Sequence, residues 1–263
     1  MTSIAPYVAH LAIYPVKSLD AVDCDRVTIL ESGALKGDRT WAIFDCKGGF
    51  VNGKRNQKIY ALRSQFDQSN NQLSLRIEHT TEIVRFNIIS EQDLICDWLE
   101  NYFGFPVTIQ QNLDLGYPDD TASPGATIVS TATLEAIASW YPELDTANIR
   151  RRFRANIEIA GVPAFWEDRL FSTAEQTLKF NIGHVEFGGV NPCRRCIVIV
   201  RDPDTGQPYP KFQKTFIEQR KKTLPQWAEQ SRFNHFFRLA VNTRLAPTEA
   251  GKVISIGDQV TVG

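Results

Sequence analysis

Between positions 7 and 88 the apolar residues come only in short runs, at 8–16, 27–30, 40–44, 59–64, 73–77 and 83–88, each cut off by turn-forming residues. Runs of this length are strand-sized and too short for helices. Gly48-Gly49 and Ser69-Asn70-Asn71 supply tight-turn chemistry between them. A chain punctuated so often must build its first half from short strands that pair across turns.

The pattern changes once before the middle. Ser90 reads as a helix N-cap with Asp93 three residues on, and Leu94, Ile95, Trp98, Leu99 and Tyr102 fall on one helical face that stops near Gly104. Positions 112–124 are polar, rich in Asp, Pro and Gly, and without apolar period, which marks a connection and places a boundary near residue 115. The expected units are 1–115, a β-rich domain, and 116–263. In the second, the pattern predicts a strand at 126–129, a helix at 133–140, a basic stretch at 150–154 and a strand at 156–160. A buried strand follows at 197–200, a turn at Asp-Pro-Asp-Thr-Gly, 202–206, and a closing hairpin at 252–262 about Gly257-Asp258. The fold class expected is mainly β with α, with barrel-like β architecture and helices at its edges.

With 43% apolar and 22% charged residues, the chain lies far from the disordered corner of composition. A formal net charge of -1 argues against global attraction to nucleic acid or anionic membrane. Met1 to Pro6 carries no secretory leader, and no stretch of about 18 apolar residues occurs, so a cytoplasmic protein is expected. The five cysteines are odd in number and scattered, which disfavours a disulfide framework. Cys24, Cys46 and Cys96 read as small buried apolar residues.

Only Cys193 and Cys196 stand close. A structural zinc site needs further ligands, and His10, His79, His184 and His235 are isolated in sequence. A thioredoxin-like pair opens a helix, whereas β-branched residues follow Cys196. A single thiolate ligand for a soft or redox-active metal, with Arg194 and Arg195 supporting its charge, is a third use. Chemistry alone leaves that reading, a buried structural pair and a redox disulfide all open. Basic and hydroxyl residues also gather at predicted strand ends: Lys17 and Ser18, Arg39, and Arg152 to Asn156. Lys17, Ser18 and Arg39 have the donors to grip a phosphate.

Taken together, Tyr-Pro-Val-Lys-Ser at 14–18, Gly-Asp-Arg-Thr-Trp at 37–41, Phe-Arg-Ala-Asn-Ile at 153–157, Cys-Arg-Arg-Cys-Ile at 193–197 and Asp-Pro-Asp-Thr-Gly at 202–206 resemble the MOSC family, in order. The terminal Ile256-Gly257-Asp258 ends in the same manner. The resemblance covers nearly the whole chain: a MOSC-associated β domain followed by a β-barrel-like MOSC domain, as in the amidoxime-reducing component and its bacterial counterparts.

That resemblance implies a molybdenum cofactor, Mo-molybdopterin, with Cys196 as the metal ligand and catalytic residue and Cys193 without an assigned role. It further implies that Lys17, Ser18, Arg39, Ser123, Arg154, Asn156 and Arg195 bind the cofactor, and Phe236 stands where relatives carry a tyrosine. The implied activity is reduction of N-hydroxylated compounds, such as hydroxylamines, amidoximes or hydroxylated bases. The alternative is a cofactor carrier or sulfur-handling module. The relatives' membrane anchor and ferredoxin-like domain are not visible in this sequence, so electrons are expected from a separate protein of ferredoxin, cytochrome b5 or flavin reductase type.

Overall fold

A computed structural model describes residues 5–262, so most of the segment read as free of a leader lies outside the described residues. The predicted interruptions become turns between β1 (Tyr7–Ile13), β2 (Val22–Asp23), β3 (Arg26–Thr28), β4 (Trp41–Asp45), β5 (Leu62–Asp67), β6 (Gln72–Ile77) and β7 (Val84–Asn87). α1 (Gln92–Phe103) leads to β8 (Val107–Gln111), and then come β9 (Thr127–Ser130), α2 (Thr131–Ala138), α3 (Thr146–Phe153) and β10 (Ile157–Ala160). The chain finishes with β11 (Leu178–Ile182), β12 (Val185–Arg194), α4 (Phe212–Lys222), β13 (Arg238–Arg244), β14 (Val253–Ser255) and β15 (Val260–Val262). The class is mainly β with four helices among the described residues, as expected from the pattern.

The largest sheet has eight strands in the order β15-β11-β12-β13-β9-β10-β1-β2. β1 is therefore hydrogen-bonded to β10, which follows it by more than a hundred residues, with Tyr7 opposite Ala160 and Leu11 opposite Ile157. β4 pairs with β8, and β5, β6 and β7 form a separate meander. Apolar side chains gather in three clusters. One lies under the large sheet around Leu11, Ile128, Ile157, Phe180 and Phe187. A second joins the meander to α1 through Leu62, Leu75, Ile95 and Leu99. The third packs α2, α3 and α4 through Leu134, Phe153, Phe212 and Phe216.

Several expectations change. α1 ends at Gly104 in the left-handed conformation, but its N-cap is Glu91, with no side-chain cap, and Leu94 is exposed. The helix read at 133–140 begins earlier because Ser130 accepts a hydrogen bond from the Thr133 amide. The basic stretch at 150–154 is the last turn of α3, where the cationic side chains complement the helix C-terminus. The run at 59–64 is split, a 3-10 turn at Gln57–Ala61 preceding β5. Ile197–Val200 is a 3-10 turn rather than a buried strand: Ile199 and Val200 bury inward and Ile197 stays exposed. The closing segment is no hairpin, since β14 pairs with β3 and β15 with β11. Cys46 is exposed, while Cys24 and Cys96 are half-buried.

Candidate functional site

The segments 14–18 and 37–41 are laced together by their backbones. Lys17 donates to the Trp41 carbonyl at 2.7 Å, Arg39 to Tyr14 at 2.8 Å and Trp41 to Pro15 at 3.0 Å. The Asp38 carboxylate adds an acceptor for the Tyr14 amide at 2.8 Å. Two motifs separated by eighteen residues thereby present Lys17, Ser18 and Arg39 to one cleft. α3 delivers Arg154 to the same place, at its left-handed C-cap.

Ser18, Arg39 and Arg154 have φ values of 74°, 50° and 54°. A non-glycine residue in that region costs on the order of 1 kcal/mol or more, and such strain concentrates at functional sites. Three of the sequence-derived anchors share it.

Between them lies Tyr14, buried, with the Arg154 guanidinium 4.0 Å and the Arg39 guanidinium 5.4 Å from its ring centroid. Burial pushes the Tyr14 phenol up to about 12, so it stays neutral and donates to the Ala155 carbonyl at 3.3 Å. The Lys17 ammonium is buried and donates to Tyr117 O at 2.8 Å and to Asp119 Oδ1 at 2.7 Å. Burial lowers its pKa, and Asp119 works against that shift. Arg39 pairs with Asp38, and Arg154 donates to the Leu19 carbonyl at 2.7 Å. Ser123 is buried and lines the cleft from the loop after β8.

The second wall comes from β12 and β13. Register shifts between Gly189 and Asn191 and between Pro192 and Arg194 bend β12 as it nears the cleft. Cys193 lies at the end of the strand, and Cys196 follows it in extended backbone before the 3-10 turn. Both thiols are free and half-buried. Arg195 donates to Cys193 Sγ at 3.2 Å and to the Phe153 carbonyl, so its side chain serves Cys193 where Cys196 was the expected neighbour. The turn at 202–206 forms as read, with Asp202 Oδ1 accepting from the amides of Asp204 and Thr205. Asp204 then binds Arg63 and Arg151, tying the turn to β5 and α3.

The cleft measures about 1950 Å³, and Lys17, Ser18, Arg39, Ser123, Arg154, Arg195 and Cys196 all line it. Small-molecule sites are typically about 300–1,000 Å³, so this one has room for a large cofactor together with a substrate. Asn156 does not line it. Its amide is spent inside the sheet, accepting from Thr127 N at 3.1 Å and donating to Ala12 O at 3.1 Å, which holds β9 against β1. Phe236 packs on the core beside Phe233. Asp119, Arg232, His235 and Arg238, none of them expected at the site from the sequence, also line the cleft. For His235 and Arg238 the local signal was their place among the aromatics of 233–238.

The donor set fits a molybdopterin. A free thiol supplies a soft ligand, Lys17, Arg39 and Arg154 supply cations for a phosphate, and Ser18 and Ser123 supply hydroxyls. The buried Arg195 Nε lacks an acceptor, which an oxygen-rich cofactor would provide. Among the described residues no helix is long and apolar enough to cross a membrane.

Residues 5–104 match the family model described as the MOSC N-terminal beta barrel domain, and residues 125–261 match the MOSC domain. The chain is similar to molybdenum cofactor sulfurase of Caenorhabditis elegans, 27% identical over 243 residues, covering 84% of this chain and 32% of that protein. It is also similar to mitochondrial amidoxime reducing component 2 of Bos taurus, 26% identical over 242 residues, covering 76% and 67%. For the Homo sapiens component the figures are 24% over 239 residues, 76% and 68%. The chain thus spans about a third of the length of the sulfurase relative.

Proposed function

Because the chain belongs to the MOSC family, we propose that it is a molybdenum-cofactor-dependent oxidoreductase that reduces N-hydroxylated compounds such as hydroxylamines, amidoximes and N-hydroxylated bases. The observation that carries this reading is the meeting of a free Cys196 thiol with Lys17, Arg39 and Arg154 in one cleft.

In this reading Cys196 is the metal ligand, its position set by the end of β12 and the 3-10 turn after it. Lys17, Ser18, Arg39 and Arg154 hold the pterin and its phosphate, and Ser123 adds a hydroxyl. When bound, the cofactor supplies two-electron redox chemistry at the N-O bond, while the protein orients and tunes it. The balance is one N-hydroxyl group, two electrons and two protons in, and the N-H compound with one water out. Electrons come from a separate donor protein of ferredoxin, cytochrome b5 or flavin reductase type.

Molybdenum and pterin analysis of the purified protein, with turnover of benzamidoxime by a chemical reductant, tests the proposal. The protein is expected to carry the cofactor and turn over, and Cys196→Ser to abolish turnover. A Cys196→Ser variant with unchanged molybdenum-dependent turnover would overturn it. A second reading, a cofactor carrier or sulfur-handling module, is favoured by the similarity to molybdenum cofactor sulfurases. It predicts cofactor binding without reduction of benzamidoxime.

A further inference from the structure

The wall of the cleft around Cys193 is crowded with cations that meet no carboxylate among the described residues. Arg194 and Arg238 occupy directly paired positions on β12 and β13. Like charges at such positions repel and destabilise a sheet. Arg232 and His235 join them in lining the cleft. Burial, then Arg232 and Arg194, push the Arg238 guanidinium down, and burial, then Arg238 and Arg194, lower the His235 pKa. Elsewhere Arg39, Arg63, Arg150, Arg151 and Arg220 each face a carboxylate. Arg194, Arg232 and Arg238 make no ion pair among the described residues.

The repulsion is held in place by neutral acceptors. Arg232 donates to the carbonyls of Ser172 and Thr173 at 3.0 and 2.7 Å. Arg238 donates to the Pro192 carbonyl and to Asn234 Oδ1, both at 3.0 Å. Arg238 Nε and His235 Nε2 remain buried without acceptors. Buried donors without acceptors and opposed cations are both costly. A single oxyanion relieves both, and a planar guanidinium is shaped for carboxylate or phosphate.

We infer that Arg194, Arg232, His235 and Arg238 form an oxyanion subsite beside Cys193 that receives a carboxylate or phosphate carried by the substrate. The chain then selects N-hydroxylated compounds that also bear an anionic group, which rests on the reductase reading above. The subsite is concave, with Arg194 exposed and Arg232, His235 and Arg238 half-buried, as suits a small-molecule group. The cofactor's own phosphate is the other source of the same chemistry.

The test titrates the cofactor-loaded protein with benzamidoxime and with 4-carboxybenzamidoxime, comparing affinities by calorimetry at low and high salt. The carboxylated compound is expected to bind about tenfold or more tightly, as charge-assisted bonds to guanidinium allow, and salt should shrink that ratio. In Arg194→Gln and Arg238→Gln the ratio should fall toward one, with molybdenum and pterin content retained. The Arg194 side chain makes no hydrogen bond to the fold among the described residues, so Arg194→Gln keeps the test alive if Arg238→Gln does not fold. Equal affinities in the parent, or a ratio that survives both substitutions, overturn the inference. So does a fall in cofactor content in the variants, which assigns these cations to the cofactor's phosphate. Binding is read without turnover, so the absence of product from both compounds sinks the reductase reading and leaves the affinity ratio to judge the subsite.

Discussion

Arg195 Nη1 lies 3.2 Å from Cys193 Sγ while the same guanidinium donates to the carbonyl of Phe153, the last residue of α3. One side chain therefore ties the end of β12 to α3, with its guanidinium 5.2 Å from the Phe153 ring centroid. Arg195→Ala should lose about 1–3 kcal/mol by leaving the Phe153 carbonyl without its partner. Cys193→Ser should lose under about 1 kcal/mol, because a hydroxyl still accepts from the guanidinium. Urea unfolding midpoints rank the two. The reverse order would mean that Cys193, not Arg195, holds the junction.

Arg220 is fully buried on α4 and donates to Asp168, with the rings of Phe165 and Phe233 at 4.6 and 5.0 Å. Removing one partner of a buried ion pair strands the other charge, at a cost of about 3–5 kcal/mol. Arg220→Met should therefore be severely destabilising, and Arg220→Met combined with Asp168→Asn less so than the sum of the single losses. Additive losses in a double-mutant cycle would show that the two side chains do not couple.

Glu167 is buried, with Oε2 accepting from Ser130 N at 3.3 Å and Thr133 Oγ1 at 3.0 Å and Oε1 without a partner. Burial, then the neighbouring Asp168 charge, pushes its carboxyl up to about 7 from an ordinary 4.5. The folded chain thus holds a proton that the unfolded chain has released between those values. Its contribution to stability is complete below pH 4.5 and is lost as pH rises through 7. Glu167→Gln removes that dependence. The variant should melt above the parent at about pH 8, with the advantage shrinking toward about pH 5. A melting difference that does not change with pH would refute the assignment.

The features legible in the sequence were those whose chemistry is local. The turn at 202–206 is made by Asp202 capping its own next residues, and α1 stops at Gly104 because glycine accepts the left-handed cap. The anchors Lys17, Arg39 and Arg154 stood out by residue type and by motif resemblance, yet their acceptors, Asp119, Asp38 and the Leu19 carbonyl, did not. α3 was hidden because its charged face is balanced by Glu158, Asp202 and Asp204, which follow it in the chain. The β-branched run at 197–200 misled for a related reason. Period alone cannot reveal that Ile199 and Val200 meet the helical cluster while Ile197 has no cover. The opposition of Arg194 and Arg238 exists only in the register of β12 on β13.

Gly189 offers the most direct test of how the cysteine segment is placed. A Cβ there would lie 1.5 Å from the Leu170 carbonyl oxygen, a backbone atom that cannot rotate aside. Leu170 is fully buried and ends the 3-10 turn Trp166–Arg169, so neither side can yield without shifting the sheet that carries Cys193. At Gly188 the nearest atom is the Thr177 Cγ2 methyl, at 2.5 Å, a side-chain group that can move. Overpacking typically costs about 1–3 kcal/mol, and more where backbone must move. Gly189→Ala should lose about 3 kcal/mol or more, release bound molybdenum, and be hurt more than Gly188→Ala. Denaturant unfolding and metal analysis check both. A Gly189→Ala protein with the parent's midpoint would mean that β12 does not run against Leu170, and the path of the chain to Cys196 would have to be redrawn.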